Sequence, residues 1–472
     1  MAFLLGIALL LARYGTLDLA ALAEVYHTSP PEGFYFTLTG LLIFGGALGK
    51  SAQFPLQVWL PDAMEGPTPV SSLIHAATMV AAGVYLLART YVFLSPDARA
   101  VISFIGAITA LLAAFSALAQ QDIKRVLAYS TISQLGYMVI AIGAGAPQMA
   151  LFHLFTHAFF KCALFLSAGA VIHQLHHAGL KGADAQDLRN MGGLRKKMPF
   201  TFALYLIPML ALSGVPFTSG FLSKESVLLG IWQAAETQGG IYGIILILAF
   251  VTAGITALYM ARHAYLIFGG KTDKWENSSL HDPGLLMQVP LAILALGSLW
   301  LLFSLNPIEG EGSWILFKVP EYEPLTSHAP VAWVSLPLVF GGLLLGYLRY
   351  GRGRAGVTVP HWIRRLSEEQ LYISTGYERL VALPGLALSR ALAWWDTYIV
   401  DGLVNGIGQG VTQVLAPLAV FTDRRGIDGL VNGIAGLFAW GGRRIRRVQS
   451  GHIQRYLLWA LAGIFAWIIW LR

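Results

Sequence analysis

The stretch that decides the fold is QMALFHLFTHAFFKCALFLSAGAVIHQLHH, residues 148–177. It is apolar over most of its length, yet it carries His153, His157 and Lys161 at intervals of four residues. A helix rising about 1.5 Å per residue crosses a hydrocarbon core of about 30 Å within such a stretch. Spacings of four place the three titratable side chains near one face of that helix. The stretch therefore predicts a membrane-spanning helix with a row of titratable groups along one side.

The whole chain has the composition of a membrane protein. Of its 472 residues, 56% are hydrophobic and 12% are charged, whereas soluble chains average about 25% charged residues. The single cysteine, Cys162, excludes a disulfide framework and any cysteine-based iron–sulfur or zinc site. There is no P-loop, no Gly-x-Gly-x-x-Gly motif after a strand and no His-Glu-x-x-His motif. We therefore expect no nucleotide or catalytic metal in this chain.

The apolar runs predict an all-α fold, a polytopic membrane helix bundle of about eleven spans. Gly and Pro inside several runs predict discontinuous helices. The first run is too short to cross a bilayer, so it resembles the tail of a longer helix. The predicted spans are residues 2–12, 34–60, 69–94, 98–119, 123–145, 148–177, 199–236, 240–268, 285–305, 329–349 and 454–471.

Basic residues fix the predicted orientation. The net charge of +7 could suggest a nucleic-acid partner, but the lysines and arginines lie mainly between apolar runs, so no nucleic acid is expected. They concentrate in alternate loops, which the positive-inside rule places in the cytoplasm. These loops contain Lys124-Arg125, residues 181–197, residues 271–274 and residues 350–453.

Residues 350–453 are too long for an ordinary loop and too apolar for a disordered linker. They contain an internal repeat, in which DTYIVDGLVNGI, beginning at Asp396, returns as DRRGIDGLVNGI, beginning at Asp423. Each copy has a second acidic residue, Asp401 or Asp428. The interleaved pattern predicts a lateral amphipathic helix along the membrane surface, with these aspartates making polar contacts. Several short interfacial helices are the alternative, since glycines favour breaks.

Three lysines lie inside apolar spans. An intramembrane lysine costs at least about 2.5–3.5 kcal/mol at mid-span, so Lys50, Lys161 and Lys224 are predicted to be functional. Snorkelling from a helix end is the alternative, and it is most plausible for Lys224. Gly and Pro residues lie a few positions from Lys50 and from Lys224. Interrupted helices of this kind mark ion sites in transporters built from repeats.

The row from His153 to Lys161 has the character of a proton wire, because histidine takes up or releases a proton near neutral pH. His75 adds a titratable group in another span, and Glu225 adjoins Lys224. Two other readings remain open. The histidines at 153 and 157 could hold zinc, although no third ligand is evident, or they could hydrogen-bond across helices in a purely structural role.

Five stretches have a familiar form: GKSAQFPLQVWLPDAMEGPTPVS at 49–71, LIHAATMV at 73–80, YSTISQLGY at 129–137, residues 153–161 and SGFLSKE at 219–225. They resemble the antiporter-like proton-channel subunits of respiratory NADH-quinone oxidoreductase, complex I, which are related to multisubunit cation/proton antiporters. The resemblance covers nearly the whole chain in order, and within the family it is strongest to the L subunits. Ala81 stands where the antiporters usually carry a lysine.

The resemblance implies a proton path. Lys50 and His75 would serve the cytoplasmic half, Lys161 would be the central lysine, and Lys224 would lead to the outer exit. It implies no redox cofactor here, because NADH, FMN, iron–sulfur clusters and quinone belong to other subunits. It implies membrane-arm partners, especially the antiporter-like subunits M and N, in the lipid bilayer of a bacterial inner membrane. The lateral helix would lie on the cytoplasmic face.

The same resemblance suggests a division of the chain. The family has about sixteen spans, so about five helices at the start are expected to be missing, with the glutamate that pairs with the lysine matching Lys50. Residues 1–95 would be the remainder of a first antiporter-like repeat, and 96–270 a second repeat. Residues 271–350 would hold additional transmembrane helices, 351–453 the lateral helix region, and 454–472 an anchoring span.

The leading functional prediction is a proton-translocating subunit of NADH-quinone oxidoreductase. The chain would then be part of an enzyme, a translocase, through its complex. One alternative is a subunit of a multisubunit cation/proton antiporter. Another is a non-conducting clamp that braces the membrane arm through its lateral helix.

Overall fold

A computed structural model describes residues 1–28, 33–270, 275, 279–310, 313–316, 331–351 and 361–471. These residues are helical or irregular, with two isolated bridges and no named strand among them. The chain divides into two compact units, Met1–Thr375 and Gly376–Arg472. The predicted all-α membrane bundle is confirmed, while the predicted repeat boundaries stay a prediction.

The first unit begins with a bent pair of helices. Its helices up to the centre of the bundle are α1 (Ala2–Tyr14), α2 (Leu19–Thr28), α3 (Phe34–Lys50), α4 (Trp59–Asp62), α5 (Thr68–Ala76), α6 (Ala81–Arg89), α7 (Pro96–Ala117), α8 (Ile123–Gly143) and α9 (Pro147–His177). The helices after it are α10 (Pro199–Ser213), α11 (Ser219–Gln238), α12 (Ile241–Phe268), α13 (Leu285–Leu296), α14 (Val331–Gly346) and α15 (His361–Glu368).

Among the described residues, eight helices are long and apolar enough to cross a membrane, or nine if the pair Ala2–Tyr14 and Leu19–Tyr26, bent by 67°, is one span. The predicted count of about eleven is therefore not reproduced by length alone. Seven of the eight coincide with predicted spans, and the eighth, Ile373–Val448, lies in the predicted lateral segment. The predicted spans 34–60, 199–236 and 285–305 are interrupted, and their shorter apolar helices are α3, α10 and α13.

Helix α8 lies at the centre of the first unit. It is buried along its whole length, and Asp122 caps its start by accepting hydrogen bonds from the backbone N–H groups of Lys124 (2.7 Å) and Arg125 (2.9 Å). Its contact with α7 is close because glycines face each other. A Cβ atom on Gly136 would lie 2.7 Å from the carbonyl oxygen of Gly106. Small residues at such a crossing let two membrane helices approach and pack.

The second unit consists of two helices. The chain is helical from Ile373 to Val448, 76 residues that begin in the first unit, and we label this helix α16; α17 follows (Ile453–Trp470). Continuity over 76 residues favours one long helix over several short ones. At about 1.5 Å per residue its length is about 110 Å. Most of its side chains in the second unit are exposed.

The two copies of the repeat return to the same face of α16. Asp401 and Asp428 are 27 residues apart (428 − 401), which would leave them on opposite faces of a regular α-helix. Two π-helical turns lie between them, Val411–Leu415 and Thr422–Ile427. Each π turn takes up about one extra residue. The interval therefore counts as about 25 α-helical residues, or about seven turns.

Candidate functional site

Lys161 lies at the centre of the bundle and is fully buried. Its ammonium donates hydrogen bonds to the carbonyl oxygen of Leu127 (3.0 Å) and to Ser130 Oγ (2.5 Å), both on α8. The ring of Phe165 lies 5.9 Å from the same nitrogen. Snorkelling is thereby excluded for Lys161, because its charged end points into the protein and not toward a membrane surface.

His153 connects α9 to two other helices. Its Nδ1 lies 2.8 Å from Ser223 Oγ on α11, and its Nε2 lies 3.1 Å from Gln134 Oε1 on α8. With the amide oxygen as acceptor, Nε2 carries the proton and Nδ1 accepts from the Ser223 hydroxyl. Ser223 Oγ also lies 2.7 Å from Thr156 Oγ1. His153 thus contacts the α11 residue that precedes Lys224.

Lys224 is held by the break between α10 and α11. Helix α10 ends at Ser213, and Gly214 follows in the left-handed region with φ of 84°. The carbonyl oxygen of Leu212 accepts a 3.0 Å hydrogen bond from Lys224 Nζ. That oxygen would normally bond the N–H four residues further on, but the residue there is Pro216, which has none. The interruption of the helix therefore creates the acceptor for the lysine.

His157 and His75 stand beside Lys161 without a full set of partners. Both imidazoles are completely buried, and none of their four ring nitrogens has a hydrogen-bond partner among the described residues. The His157 ring faces the backbone of Ala76 and lies 6.4 Å from the His153 ring, centroid to centroid. The His75 ring lies 4.8 Å from Phe165. Five predicted residues, His75, His153, His157, Lys161 and Lys224, are thus brought together.

Glu225 points away from this row toward α14. Its carboxylate accepts a hydrogen bond from the hydroxyl of Ser335, which is itself buried. It remains within electrostatic range of Lys224. Glu225 therefore extends the polar line from Lys224 to a further helix.

The remaining predicted site residues lie elsewhere. Lys50 is the last residue of α3, exposed at the helix break, and within the described chain it forms no ion pair. The lateral-helix aspartates, Asp396, Asp401, Asp423 and Asp428, are exposed in the second unit. Neither Lys50 nor these aspartates joins the buried row.

Sequence reasoning missed a buried polar group on α12. His263 is fully buried; its Nε2 lies 3.2 Å from the carbonyl oxygen of Ile123, and its Nδ1 lies 2.7 Å from the Tyr205 hydroxyl. Tyr259, one turn before it, is also fully buried. The signal was present, since both residues lie four apart in an apolar span, as the row on α9 does.

Among the described residues, no group of three or more His, Cys, Asp or Glu side chains is placed to hold a metal ion. The pair His153 and His157 therefore lacks a third ligand there. Both nitrogens of His153 are engaged with Ser223 and Gln134, which suits hydrogen-bonded transfer better than metal coordination.

Comparison with known proteins identifies the family. Residues 1–256 match the family described as NADH:quinone oxidoreductase/Mrp antiporter, TM. The chain belongs to this family. The match includes α8, α9 and α11, which carry the buried row. Membership confirms the family resemblance and the predicted class of function, a proton-translocating membrane subunit.

Individual family members match most of the chain. NADH-quinone oxidoreductase subunit L of Mycobacterium tuberculosis (strain ATCC 25618 / H37Rv) is 38% identical over 474 residues, covering 97% of this chain and 68% of the relative. The chloroplastic NAD(P)H-quinone oxidoreductase subunit 5 of Marchantia polymorpha is 34% identical over 482 residues, covering 92% of this chain and 67% of the relative. The chain thus spans about two thirds of the length of these relatives.

A solved structure shows the same fold. It is the Mrp complex from Dietzia sp. DQ12-45-1b, with a TM-score of 0.61 and 29% sequence identity. The alignment covers 86% of this chain and 44% of that chain. The chain is therefore similar to both branches of the family. Its sequence is similar to NADH-quinone oxidoreductase subunits, and its fold is similar to a chain of an antiporter complex.

Proposed function

We propose that this chain moves protons across the membrane along the buried row from Lys161 through His157 and His153 to Lys224. The observation that carries the proposal is that the two lysines and the two histidines are all buried inside the bundle. Lys161 and His153 both hydrogen-bond to α8, and His153 also contacts Ser223, the residue before Lys224 on α11. Titratable groups this close together in a water-poor interior are expensive unless they serve a path for ions or protons.

Water completes the middle of this path. The unpartnered ring nitrogens of His75 and His157 are buried next to Lys161. Buried polar groups in native proteins are satisfied by protein or by ordered water. Water molecules between these rings and the Lys161 ammonium would supply the donors and acceptors along which a proton moves.

Each lysine has a distinct role in the proposal. Lys161 is the central store, and Lys224 passes the proton toward the outer side, where Glu225 and Ser335 extend the polar line. Lys50 and His75 serve the cytoplasmic half. The burial of His75 beside Lys161 supports its part in this scheme.

The driving reaction takes place in partner subunits. We place the chain in the membrane arm of an NADH-quinone oxidoreductase in a bacterial inner membrane, where NADH, FMN, iron–sulfur clusters and quinone are held by other subunits. The relatives named NADH-quinone oxidoreductase subunit L support this assignment. This chain would act as a translocase subunit without a redox centre of its own.

The antiporter-like subunits M and N are the proposed neighbours of α16. The equivalent aspartates Asp401 and Asp428 lie on one face of that helix, about seven turns apart. A helix face that presents the same aspartate twice suits two similar partner surfaces that lie side by side. Two antiporter-like subunits, M and N, would offer such surfaces. Their cytoplasmic sides would receive the helix.

The test replaces the lysines one at a time in the assembled complex. We expect Lys161→Ala and Lys224→Ala to abolish NADH-driven proton transport through this subunit, measured in proteoliposomes. The complex should still assemble. Lys196→Ala is the control, because Lys196 is an exposed lysine of the loop after α9. Full pumping by either variant would contradict the proposal and favour the structural-clamp alternative. Proton movement driven by a sodium gradient, and not by NADH oxidation, would favour the antiporter alternative.

A further inference from the structure

Two further histidines lie near the carboxyl end of α9, outside the buried row. His173 and His177 are four residues apart on this helix, and both side chains are exposed. Their Nε2 atoms lie 3.2 Å apart, and the two ring planes are nearly perpendicular, at 84°. His173 is 12 residues beyond Lys161 (173 − 161), which is about 18 Å along the helix axis. The pair is therefore separate from the row that carries the proposed function.

The separation of the two nitrogens fits two ligands of one metal ion. Bonds from zinc to imidazole are about 2.0–2.1 Å long, so two ligands at the tetrahedral angle lie about 3.3–3.4 Å apart. Adjacent ligands of a square-planar ion with bonds of the same length lie only about 2.8–3.0 Å apart. The distance of 3.2 Å between the Nε2 atoms is nearer the tetrahedral value, and tetrahedral coordination is the geometry that zinc adopts. The spacing therefore favours zinc over a square-planar ion.

The backbone under the pair is fixed by the way in which α9 ends. The N–H of Leu180 donates to the carbonyl oxygen of Leu175 (3.1 Å), and the N–H of Gly179 donates to that of His176 (3.1 Å). With Gly179 at a φ of 100°, these two bonds form a Schellman motif, which closes the helix. His177 is the last residue of α9, where the negative end of the helix dipole favours a cation. The helix end thus holds both imidazoles in place and attracts a positive ion.

We propose that His173 and His177 form an exchangeable binding site for a divalent transition-metal ion, with zinc as the best-matched ion. Neutral imidazole is the commonest protein ligand of such metals. Catalytic and structural zinc sites have three or four protein ligands, whereas the described residues add no third His, Cys, Asp or Glu side chain to this pair. Water would complete the coordination, so the ion would exchange with free zinc and would not hold the fold together. The inference does not depend on the proposed function.

The competing explanation is a hydrogen bond between the two rings, in which one Nε2 donates to the other. Both explanations use the same two nitrogens of His173 and His177. Glutamine separates them, because its amide keeps a donor and an acceptor but is not among the ligands that zinc prefers. A pair that serves only as a hydrogen bond would bind no zinc in the wild type.

The test measures zinc bound to the purified membrane complex that contains the full chain. The complex is treated with EDTA and dialysed against low-micromolar free Zn²⁺, and bound zinc is determined by elemental analysis. We expect His173→Gln and His177→Gln each to bind one zinc ion fewer than the wild type, at equal amounts of assembled complex. His176→Gln is the matched control, because His176 is exposed on the same turn but outside the pair, and this variant should bind as the wild type does.

A second substitution shows whether position 177 supplies a ligand. Cysteine thiolate is a zinc ligand, so we expect His177→Cys to regain the ion that His177→Gln loses. Equal zinc binding by the wild type and both glutamine variants would overturn the inference, and so would loss of the ion in His176→Gln. If His177→Cys bound no more zinc than His177→Gln, the side chain at this position would not be a ligand and the site would fail as well.

Discussion

The Lys224 ammonium donates its 3.0 Å hydrogen bond to the carbonyl oxygen of Leu212, twelve residues earlier in the chain. This oxygen lies in the last turn of α10, where backbone carbonyls lack intrahelical donors and the helix dipole favours a cation. A buried lysine at the end of a broken helix thus has a protein partner without an acidic counter-charge in hydrogen-bonding contact. The break supplies the acceptor for the buried lysine and is not a defect in a span.

The position of Lys224 depends on Gly214. We expect Gly214→Ala to slow proton uptake several-fold, because an alanine at φ 84° costs about 1–2 kcal/mol and its Cβ would lie 3.3 Å from Lys224 Cδ. Gly239→Ala is the control, since Gly239 also has a positive φ of 62° but nothing within 4 Å of its Cβ position. Equal uptake rates for the two variants, measured in vesicles, would refute a special role for Gly214.

Ser130 stabilises the charged form of Lys161. Ser130→Ala removes the acceptor at 2.5 Å, and losing a hydrogen bond to a buried charge costs about 1.5–3 kcal/mol. We expect proton uptake to slow by about tenfold or more. Ser133→Ala serves for comparison, because Ser133 is buried on the same helix but donates to Ala110. If both serine variants slowed uptake alike, the effect would come from helix packing.

Ser223 joins His153 to the helix that carries Lys224. We expect Ser223→Ala to interrupt transfer between the two lysines while leaving assembly intact, because it removes the partner of His153 Nδ1. Ser226→Ala provides the comparison, since Ser226 is buried on α11 and donates to the carbonyl oxygen of Leu222 on its own helix. The measurement is NADH-driven proton uptake at equal amounts of assembled complex, and unchanged uptake by Ser223→Ala would rule out this link.

The contact of α7 with α8 determines stability. A Cβ on Gly136 would lie 2.7 Å from a backbone oxygen of Gly106, so Gly136→Ala must push the two helices apart. We expect a lower melting temperature of the complex and less assembled protein, because overpacking costs about 1–3 kcal/mol. Gly243→Ala on α12, with nothing within 4 Å, should be neutral. Normal assembly of Gly136→Ala would show that the crossing is loose.

The sequence was sufficient for the row on α9 and for its family. Spacings of four predict one helix face whatever the neighbours are, and Gly214 and Pro216 predict a break. The partners across the bundle could not be predicted in the same way, because they lie far away in the chain. His153 meets Ser223, 70 residues later, and His263 meets Ile123, 140 residues earlier.

Two other features needed the structure for physical reasons. The exposure of Lys50 depends on what covers the end of α3, which composition does not indicate. The continuity of α16 was undecided because glycine lowers helix propensity by about 1 kcal/mol per residue. The structure favours the continuous helix, with two π turns between Asp401 and Asp428.

The two π turns between Asp401 and Asp428 have a consequence for how this segment tolerates change. One residue inserted or deleted between Asp401 and Asp428 would rotate everything beyond it by about 100°. Substitutions on exposed faces leave that angle untouched. The segment should therefore drift freely in composition among related proteins but keep its residue count, which is the opposite of how a surface loop evolves.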